Sequence, residues 1–441
     1  MSGLPEGWAW TTLGQITRDC DQRVPDTNDE FRYVDIASVD RQSKAITAPQ
    51  TLLGKEAPSR ARKEIRHGDV LVSMTRPNLN AVAMVPEDLD RQIASTGFDV
   101  LRASEVDPRW VFNAVRSQDF VERMSSLVQG ALYPAVRSKD VRGYELPLAP
   151  LPEQKRIADK LDSVLARVDA CRDRLDRIPA LLKRFRQAVL AAATSGRLTE
   201  DWRDGAAASW EEVRLSDIGQ FGRGKSKHRP RNDPRLYGGP YPFVQTGDVG
   251  GSGGIIRSHS QTYSEFGLAQ SKLWPAGTLC ITIAANIADT AILSYPSCFP
   301  DSVVGFIPDS AKCHALFVKW AIDVMKEDLE RFAPATAQKN INLGVLSEVT
   351  FNLPPLAEQH EIVRRVETLF AFADRLEARC AAARKQAGQL TPALLAKAFR
   401  GELVPQDPAD EPAAELLKRL AARRAEAPKA RRGRKPVAAG E

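Results

Sequence analysis

The sequence has few of the residues that build disulfide frameworks or metal sites. Its 441 residues include six cysteines and five histidines. No two cysteines form a Cys-x-x-Cys pair, and Cys313 and His314 are the one adjacent pair of such residues. A zinc site needs four ligands at suitable spacing, and a disulfide framework belongs to secreted chains with closely spaced cysteines. We therefore expect reduced thiols, no bound metal and no disulfide framework.

Long apolar runs are also absent. The longest, residues 279–293, is interrupted by Asn286 and Asp289 and is too short to cross a bilayer. The first six residues lack the basic and apolar segments of a secretion signal. Apolar residues make up 43% of the chain and charged residues 27%, which is enough to bury two or three cores. We expect a cytoplasmic, multi-domain protein.

The chain has little excess charge outside its C-terminal end. The net charge of +6 comes from residues 418–435, which hold nine Lys or Arg residues and one acid, Glu426. The rest of the chain has 53 basic and 55 acidic residues. We expect residues 405–441 to form a basic, disordered tail that contacts any polyanion without sequence selectivity. A nucleic-acid surface in the folded part must then come from local clusters of cations.

A long internal repeat organises the sequence. Residues 151–157 recur as residues 356–362, and the same offset of 205 carries Gly196 onto Gly401 and Leu198 onto Leu403 without a gap. In each copy the apolar residues alternate steps of three and four, which predicts a coiled-coil helix. The two helices are expected to pack on each other through the following residues: Ile157, Leu161, Val164, Val168, Leu175 and Leu182 in the first, and Ile362, Val366, Leu369, Leu376, Leu390 and Leu394 in the second. Pro179 and Pro392 lie inside these patterns and should kink or split each helix.

The segment that precedes each helix is repeated more loosely. Residues 10–16 correspond to residues 212–218 at offset 202, whereas residues 68–73 correspond to residues 277–282 at offset 209. The drifting offset indicates insertions, so the globular parts have diverged more than the helices. The predicted domains are residues 1–151 and 200–355, the spacer helix regions are residues 152–199 and 356–404, and the tail is residues 405–441.

A duplicated domain plus helix suits a ligand that also has two parts. If the two helices pair antiparallel, the two domains are related by a pseudo-two-fold axis. Two half-sites on DNA at a fixed separation are read by two modules at a fixed separation. DNA is therefore the expected ligand.

Several short motifs, duplicated and in this order, carry a family resemblance. They are residues 4–8 (Leu-Pro-Glu-Gly-Trp), Leu13-Gly14, the run that ends at Gln154 and its copy at residues 353–359, the closing residues 196–198 and 401–403, and residues 404–412. Together they make the chain resemble the specificity subunit of a Type I restriction-modification system over nearly its whole length.

The resemblance implies a mixed α/β fold with two target recognition domains held apart by two long antiparallel helices. Each domain would read half of a bipartite DNA target, and the helices would dock modification subunits, two in number. The subunit would do no chemistry: S-adenosylmethionine, ATP and magnesium are expected in the methyltransferase and restriction subunits alone. No Asp-Pro-Pro-Tyr or Asn-Pro-Pro-Phe tetrapeptide of an adenine methyltransferase is present in the sequence.

Two other classes of protein stay open at this point. Residues 219–226 fit the phosphate-loop pattern G-x-x-x-x-G-K-[ST] of a nucleotide hydrolase, but Pro230 and Pro234 follow where that loop would open a helix. A coiled-coil scaffold that binds protein alone is the second class. It predicts no sequence-specific retention of DNA, even with partner subunits present.

Candidate DNA-binding residues lie on predicted loops. Loop cations neutralise phosphates, and amide side chains, lysine or arginine can pair with base edges. In the first domain the candidates are Arg76, Asn78, Asn80, Tyr133, Arg137 and Lys139. In the second domain they are Arg223, Lys225, Lys227, Gln245, Asn286, Lys339, Asn340 and Asn342. For any single amide, a role in a turn or helix cap is the alternative.

The helix length suggests how the target is measured. From Ile157 to Val189 a straight helix is about 50 Å long, or about fifteen base pairs of DNA as an upper bound. We hypothesise that this length sets the unread gap between the half-sites.

Overall fold

The computed structural model describes residues 3–128, 134–203, 209–284, 287–332 and 343–426. The chain divides into two compact units. The first unit comprises residues 1–175 and 383–441, and the second comprises residues 176–382. In the described part of the chain, no helix combines the length and apolar character that a membrane span requires.

The first unit is built mainly from short strands, followed by helices that cover them. Its strands are β1 (Ala9–Thr12), β2 (Thr17–Arg18), β3 (Glu30–Val34), β4 (Val39–Asp40), β5 (Ala45–Ile46), β6 (Gln50–Leu53), β7 (Ala61–Glu64), β8 (Val70–Ser73), β9 (Val82–Met84), β10 (Ile93–Ser95), β11 (Phe98–Ala103) and β12 (Glu145–Leu148). Its helices are α1 (Leu13–Ile16), α2 (Pro108–Val115), α3 (Gln118–Ser126), α4 (Ser138–Arg142) and the first part of α5 (Leu151–Thr194).

Two four-stranded sheets, in the orders β6-β3-β10-β7 and β2-β11-β8-β9, form the body of the first unit. Strands β1 and β12 pair separately, as do β4 and β5. The four residues of β8 are all buried, as a strand covered on both faces should be. Val70 and Leu101 share their core with Trp110 of α2.

The second unit also combines strands with shorter helices and part of a long helix, but its main sheet differs from the sheets of the first unit. Its strands are β13 (Glu211–Arg214), β14 (Gly219–Arg223), β15 (Tyr237–Phe243), β16 (Ile255–Ile256), β17 (Gln261–Tyr263), β18 (Leu279–Thr282), β19 (Thr290–Leu293), β20 (Val303–Pro308) and β21 (Thr350–Leu353). Its helices are α6 (Thr246–Gly251), α7 (Glu265–Ala269), α8 (Ala315–Val324), α9 (Lys326–Phe332), α10 (Leu343–Ser347) and the first part of α11 (Leu356–Phe399). The last part of α11 and a final helix, α12 (Ala413–Glu426), belong to the first unit, and the last part of α5 belongs to the second.

The main sheet of the second unit has five strands in the order β14-β20-β18-β19-β16. All of its pairings are antiparallel except that of β16 with β19. Strands β13 and β21 pair separately and match β1 and β12 of the first unit. Leu279 and Phe306 of the sheet share a core with Phe317 of α8.

Within each unit, α5 and α11 run antiparallel. In the first unit Arg172 of α5 donates to the Ala387 carbonyl of α11 at 2.8 Å. Leu161, which precedes Arg172 on α5, shares a core with Leu395, which follows Ala387 on α11. In the second unit Arg186 of α5 donates to Asp374 of α11 at 2.7 Å. Val189, which follows Arg186 on α5, shares a core with Ile362, which precedes Asp374 on α11. The predicted long, packed helices are therefore present.

Most of the predicted packing residues have buried or half-buried side chains. Ile157, Leu161, Val168, Leu182, Ile362 and Val366 are buried, and Val164, Leu175, Leu369, Leu376 and Leu394 are half-buried. The prediction for Leu390 is wrong, because its side chain is 46% exposed while Leu395 is buried. A helix of 3.6 residues per turn drifts from a strict heptad repeat, so the buried stripe moves by one position near its end.

Two further expectations are corrected by the helices. Both α5 and α11 continue through Pro179 and Pro392, so neither proline splits its helix. The tail is also not wholly disordered, because α12 covers residues 413–426 and buries Ala413, Leu416 and Leu420 in the core of the first unit. The expectation failed because the basic side chains of α12 obscured its apolar face. Residues 427–441 lie outside the described residues.

Candidate nucleic-acid interface

Each unit fixes the start of its long helix with a tryptophan and a glutamate. The indole nitrogen of Trp8 donates to Glu153 at 3.0 Å, and that of Trp210 donates to Glu358 at 3.1 Å. Both glutamates lie in the first turn of their helix and are almost fully buried. A carboxylate in this position also interacts favourably with the helix dipole.

The glutamine that follows each glutamate joins the helix to the globular domain that precedes it. Gln154 accepts from the Asp107 backbone at 3.0 Å and donates to the Ala149 carbonyl at 2.8 Å. Gln359 accepts from the His314 backbone at 2.7 Å and donates to the Pro354 carbonyl at 2.8 Å. The tryptophan, the glutamate and the glutamine of each unit together form a joint between the globular domain and its long helix. The sequence analysis recognised the repeated Glu-Gln motif but not this structural role.

In the first unit, two predicted DNA-binding loops lie side by side. The Arg76 backbone donates to the Pro134 carbonyl at 2.7 Å, and the Val136 backbone donates to the Met74 carbonyl at 2.9 Å. Arg76 follows β8, Arg137 directly precedes α4, and Lys139 lies in the first turn of α4. The three side chains are exposed, and none has a carboxylate at ion-pair distance within the described part of the chain.

The turn after β8 carries two asparagines that were predicted to bind DNA, one exposed and one buried. Asn78 is exposed. Asn80 is 9% exposed, and its amide group donates to the Val115 carbonyl at 2.8 Å and accepts from Lys44 at 2.8 Å. The prediction that Asn80 contacts a base is wrong, because both polar atoms of its side chain have partners inside the protein.

In the second unit, the glycine-rich segment is a strand and a loop. Residues 219–223 form β14, and residues 224–233 contain no helix. A Cβ atom on Gly224 would lie 2.2 Å from the Pro300 carbonyl oxygen, so this glycine permits close packing of two backbones. The phosphate-loop hypothesis fails, because no helix N-terminus is present to hold a phosphate.

This loop carries cations of two kinds. Arg231 is neutralised by Asp301 through two contacts at 2.9 and 3.0 Å, and the Nε of Arg223 donates to the Asp301 carbonyl. Lys225 and Lys227 are exposed and have no carboxylate at ion-pair distance among the described residues. Their charge is therefore available for a polyanion.

Other predicted residues of the second unit are less informative. Gln245 precedes α6, is half-buried and donates to Gln261 at 2.7 Å. The remaining predictions lie outside the described residues: Tyr133 of the first unit and Asn286, Lys339, Asn340 and Asn342 of the second. In the described part of the chain, no cluster of three metal-ligating side chains is present.

Sequence reasoning missed a second turn beside Arg76. A cleft of about 390 Å³ is lined by Arg41, Arg76, Ile36, Val39 and Leu79. Arg41 lies in the turn between β4 and β5 and is exposed. The only signal in the sequence was the Asp40-x-x-Ser43 turn pattern, in which the Asp40 carboxylate accepts from the backbones of residues 42 and 43.

Comparison with known proteins agrees with this architecture. Residues 208–382 match the family model described as a Type I restriction modification DNA specificity domain. The chain is 30% identical to the Type I restriction enzyme StySPI specificity subunit of Salmonella potsdam, with 96% of each chain covered.

Solved structures give the same result. The chain is similar to the HsdS subunit of Thermoanaerobacter tengcongensis, with a TM-score of 0.67, 30% identity and coverage of 90% of this chain and 98% of that one. It is also similar to a chain from a structural study of type I R-M complex assembly, with a TM-score of 0.76, 29% identity and coverage of 91% and 100%. The chain therefore belongs to the specificity subunits of Type I restriction-modification systems.

Proposed function

We propose that the chain reads a bipartite DNA target with one half-site assigned to each unit. As a member of its family it is a non-catalytic DNA-recognition component of a Type I complex. The observation that carries the proposal is the duplicated joint of Trp8 with Glu153 and Trp210 with Glu358. The same joint attaches a different sheet to a long helix in each unit, as expected if two related domains read two different sequences.

The exposed cations supply the contacts of the proposed interface. In the first unit Arg76, Arg137 and Lys139 are exposed, and in the second Lys225 and Lys227 are exposed. Cations without carboxylate partners can displace counterions from DNA phosphates, which gives affinity without sequence. Arg76 and Asn78 can in addition pair with base edges, which gives sequence discrimination.

The partners and cofactors follow from the family. Methyltransferase and restriction subunits assemble with a Type I specificity subunit, and we propose that two modification subunits dock on each copy of this chain. S-adenosylmethionine, ATP and magnesium would be bound by those partners. The complex would act in the cytoplasm, where the DNA is accessible to it.

The long helices are proposed to set the gap between the half-sites. Inserting one heptad into α5 and one into α11 adds about 10 Å of helix, which corresponds to about three base pairs. The expected result is a methylation motif with a longer unread gap and unchanged half-sites. Altered half-site sequences would contradict this idea.

Mapping methylated adenines tests the function directly. The chain is co-expressed with the modification subunit of its own system in a host without other adenine methylation, and modified adenines are mapped across the genome. We expect one bipartite motif with a fixed gap. A stable complex of the two proteins that adds no methylation would favour the protein-binding scaffold instead.

Variants assign each half of the motif to a unit. Arg76→Ala should relax one half-site and leave the other intact. Lys225→Ala should weaken DNA binding and leave both half-sites unchanged, because a phosphate contact gives affinity without sequence.

A further inference from the structure

We propose that Lys44 and Asn80 are positioning residues that hold the Arg76 turn in the conformation that reads DNA, and that Arg41 contacts the same half-site. The inference rests on the proposed function and deepens it. It assigns the cleft between two turns of the first unit to double-stranded DNA.

Two turns meet at Lys44. The turn between β4 and β5 spans residues 41–44, and the turn after β8 spans residues 76–80. The Lys44 Nζ donates to the Asn80 backbone carbonyl at 2.6 Å and to the Asn80 side-chain oxygen at 2.8 Å. The Asn80 amide in turn donates to the Val115 carbonyl at the end of α2. This chain of contacts fixes both turns to the core of the unit.

The backbone at this point is unusual. Lys44, Arg76 and Asn80 have φ angles of 57°, 49° and 46°, in the left-handed region that residues other than glycine rarely adopt. Arg76 and Asn80 flank a single turn of 3₁₀ helix over residues 77–79. Such conformations persist when surrounding contacts impose them, and they concentrate at binding and catalytic sites. At Asn80 these contacts come from Lys44, from the Val115 carbonyl and from the Pro77 carbonyl.

Burying the charge of Lys44 has a free-energy cost that a purely structural role would not require. Its ammonium group is half-buried and contacts amide oxygens, and within the described chain no carboxylate forms an ion pair with it. Burial, together with the nearby charge of Arg116, lowers the pKa of Lys44 to about 8. The nearby Asp40 carboxylate and Arg41 guanidinium have smaller, opposing effects on that pKa. An apolar side chain would fill this position without desolvating a charge. The lysine is explained if the two oxygens of Asn80 must be held.

The cleft between the turns has the chemistry of a DNA contact. Arg41 and Arg76 both line it and both are exposed, with no ion pair among the described residues. Arginine pairs with phosphate oxygens or, bidentately, with guanine. The apolar lining from Ile36, Val39 and Leu79 suits the sugar or a thymine methyl group. Turns that are held by these contacts present their two arginines from backbones at a fixed separation, which favours discrimination between bases.

The test uses the methylation motif of the intact complex. Lys44→Met removes the two hydrogen bonds and keeps the side-chain length, and Lys44→Arg keeps donors that can reach Asn80. For Lys44→Met we expect at least tenfold weaker discrimination at one or more base positions of one half-site. The other half-site and the gap should be unchanged, and Lys44→Arg should restore discrimination. Lys55→Met, at an exposed lysine of the same unit outside the cleft, is the matched control and should keep the wild-type motif.

A second variant covers the case in which Lys44→Met does not fold. Arg41→Gln changes an exposed side chain and should reduce binding of target DNA several-fold, with a weaker dependence on salt concentration. An unchanged motif for folded Lys44→Met, or unchanged DNA binding for Arg41→Gln, overturns the inference while the wild-type motif still supports the proposed function. Loss of the proposed function itself is recognised separately, since the wild-type complex would then show no bipartite motif.

Discussion

The two units hold their long helices with the same pair of residues but balance the charge differently. Glu358 accepts hydrogen bonds from Trp210, from Thr199 at 2.7 Å and from Arg203. Glu153 accepts from Trp8, and its other carboxylate oxygen is buried with no hydrogen-bond partner among the residues that the structure describes. At the positions 205 residues beyond Thr199 and Arg203, the first unit has Val404 and Pro408.

Comparing the two units shows which contacts of the joint determine how each domain meets its helix. The indole contact and the glutamine contacts are present in both units, so they define how each domain meets its helix. Arg203 forms an ion pair with Glu358 in the second unit, whereas among the described residues of the first unit no arginine forms an ion pair with Glu153. Burial therefore raises the pKa of Glu153 above its ordinary value, against the smaller opposing effects of Trp8 and Arg156.

Replacing the two glutamates should give the largest contrast. Glu358→Gln leaves Arg203, whose side chain is 13% exposed, without its anionic partner. Breaking a buried ion pair in this way costs on the order of 3 kcal/mol. Glu153→Gln removes a poorly solvated charge while its oxygen can still accept from Trp8, so the stability of the first unit should stay within about 1 kcal/mol of wild type or rise.

Hydrogen exchange, followed peptide by peptide in denaturant, measures the free energy of opening of each unit separately. Trp210→Phe and Trp8→Phe serve as controls, because each removes one indole hydrogen bond without changing charge. An equal loss of stability in both units on replacing the glutamates would mean that the unpartnered oxygen of Glu153 does not matter.

The glutamines should give a smaller and more even effect. Gln154→Ala and Gln359→Ala each leave a buried backbone N–H group without an acceptor, at a cost of about 2 kcal/mol. Gln359 makes one further bond, to the Lys312 carbonyl at 3.1 Å, so its replacement should cost slightly more. The same hydrogen-exchange measurement tests this order. A loss confined to one unit would show that the joint is not equivalent in the two.

The joint also explains how much the sequence could predict. Its residues recur without a gap because a helix of fixed register must meet each domain, and this made the repeat, the helices and their antiparallel packing recognisable. Local pattern failed where tertiary contacts decide. Leu390 fits the heptad but faces solvent, and α12 is basic but packs its apolar face into the first unit.

For the candidate interface, the sequence indicated exposed loop cations but not the internal contacts of the turns that carry them. Loop placement indicated Arg76, Lys225 and Lys227, which are exposed. It did not reveal that Asn80 is used internally, since that depends on Lys44 from a turn 36 residues away. Nor did it indicate Arg41, because a single arginine in a polar turn has no distinctive sequence pattern.

The predicted DNA-binding loops of the two units should respond differently to the loss of one cation. Arg76→Ala should reduce discrimination at one base position, by about 1–3 kcal/mol if it pairs with a guanine. Lys225→Ala and Lys227→Ala should weaken binding to all sequences and lower the slope of log affinity against log salt by about 0.9 each. Titration of target and altered DNA at several salt concentrations, with the assembled methyltransferase, measures both quantities. A changed motif for either lysine variant would place base reading in the glycine-rich loop.

The smallest effect should be the pH dependence that Glu153 gives to the stability of the first unit. Because the pKa of Glu153 is raised in the folded state, the folded first unit takes up a proton at a higher pH than the unfolded chain does. The free energy of unfolding of this unit should therefore rise as the pH falls through the folded-state pKa of Glu153 toward its ordinary value near 4.5, and fall as the pH rises.

Other carboxylates titrate in the same range, so the informative quantity is the difference between wild type and Glu153→Gln. Hydrogen exchange of first-unit peptides, corrected for the intrinsic effect of pH on exchange, should show wild type gaining stability relative to Glu153→Gln on acidification. Peptides of the second unit provide the internal reference, because that unit is the same in both proteins. If the difference between the two proteins in the first unit does not change with pH, Glu153 is ionised in the folded state to the same extent as in the unfolded chain, and its buried oxygen must have a partner such as an ordered water molecule.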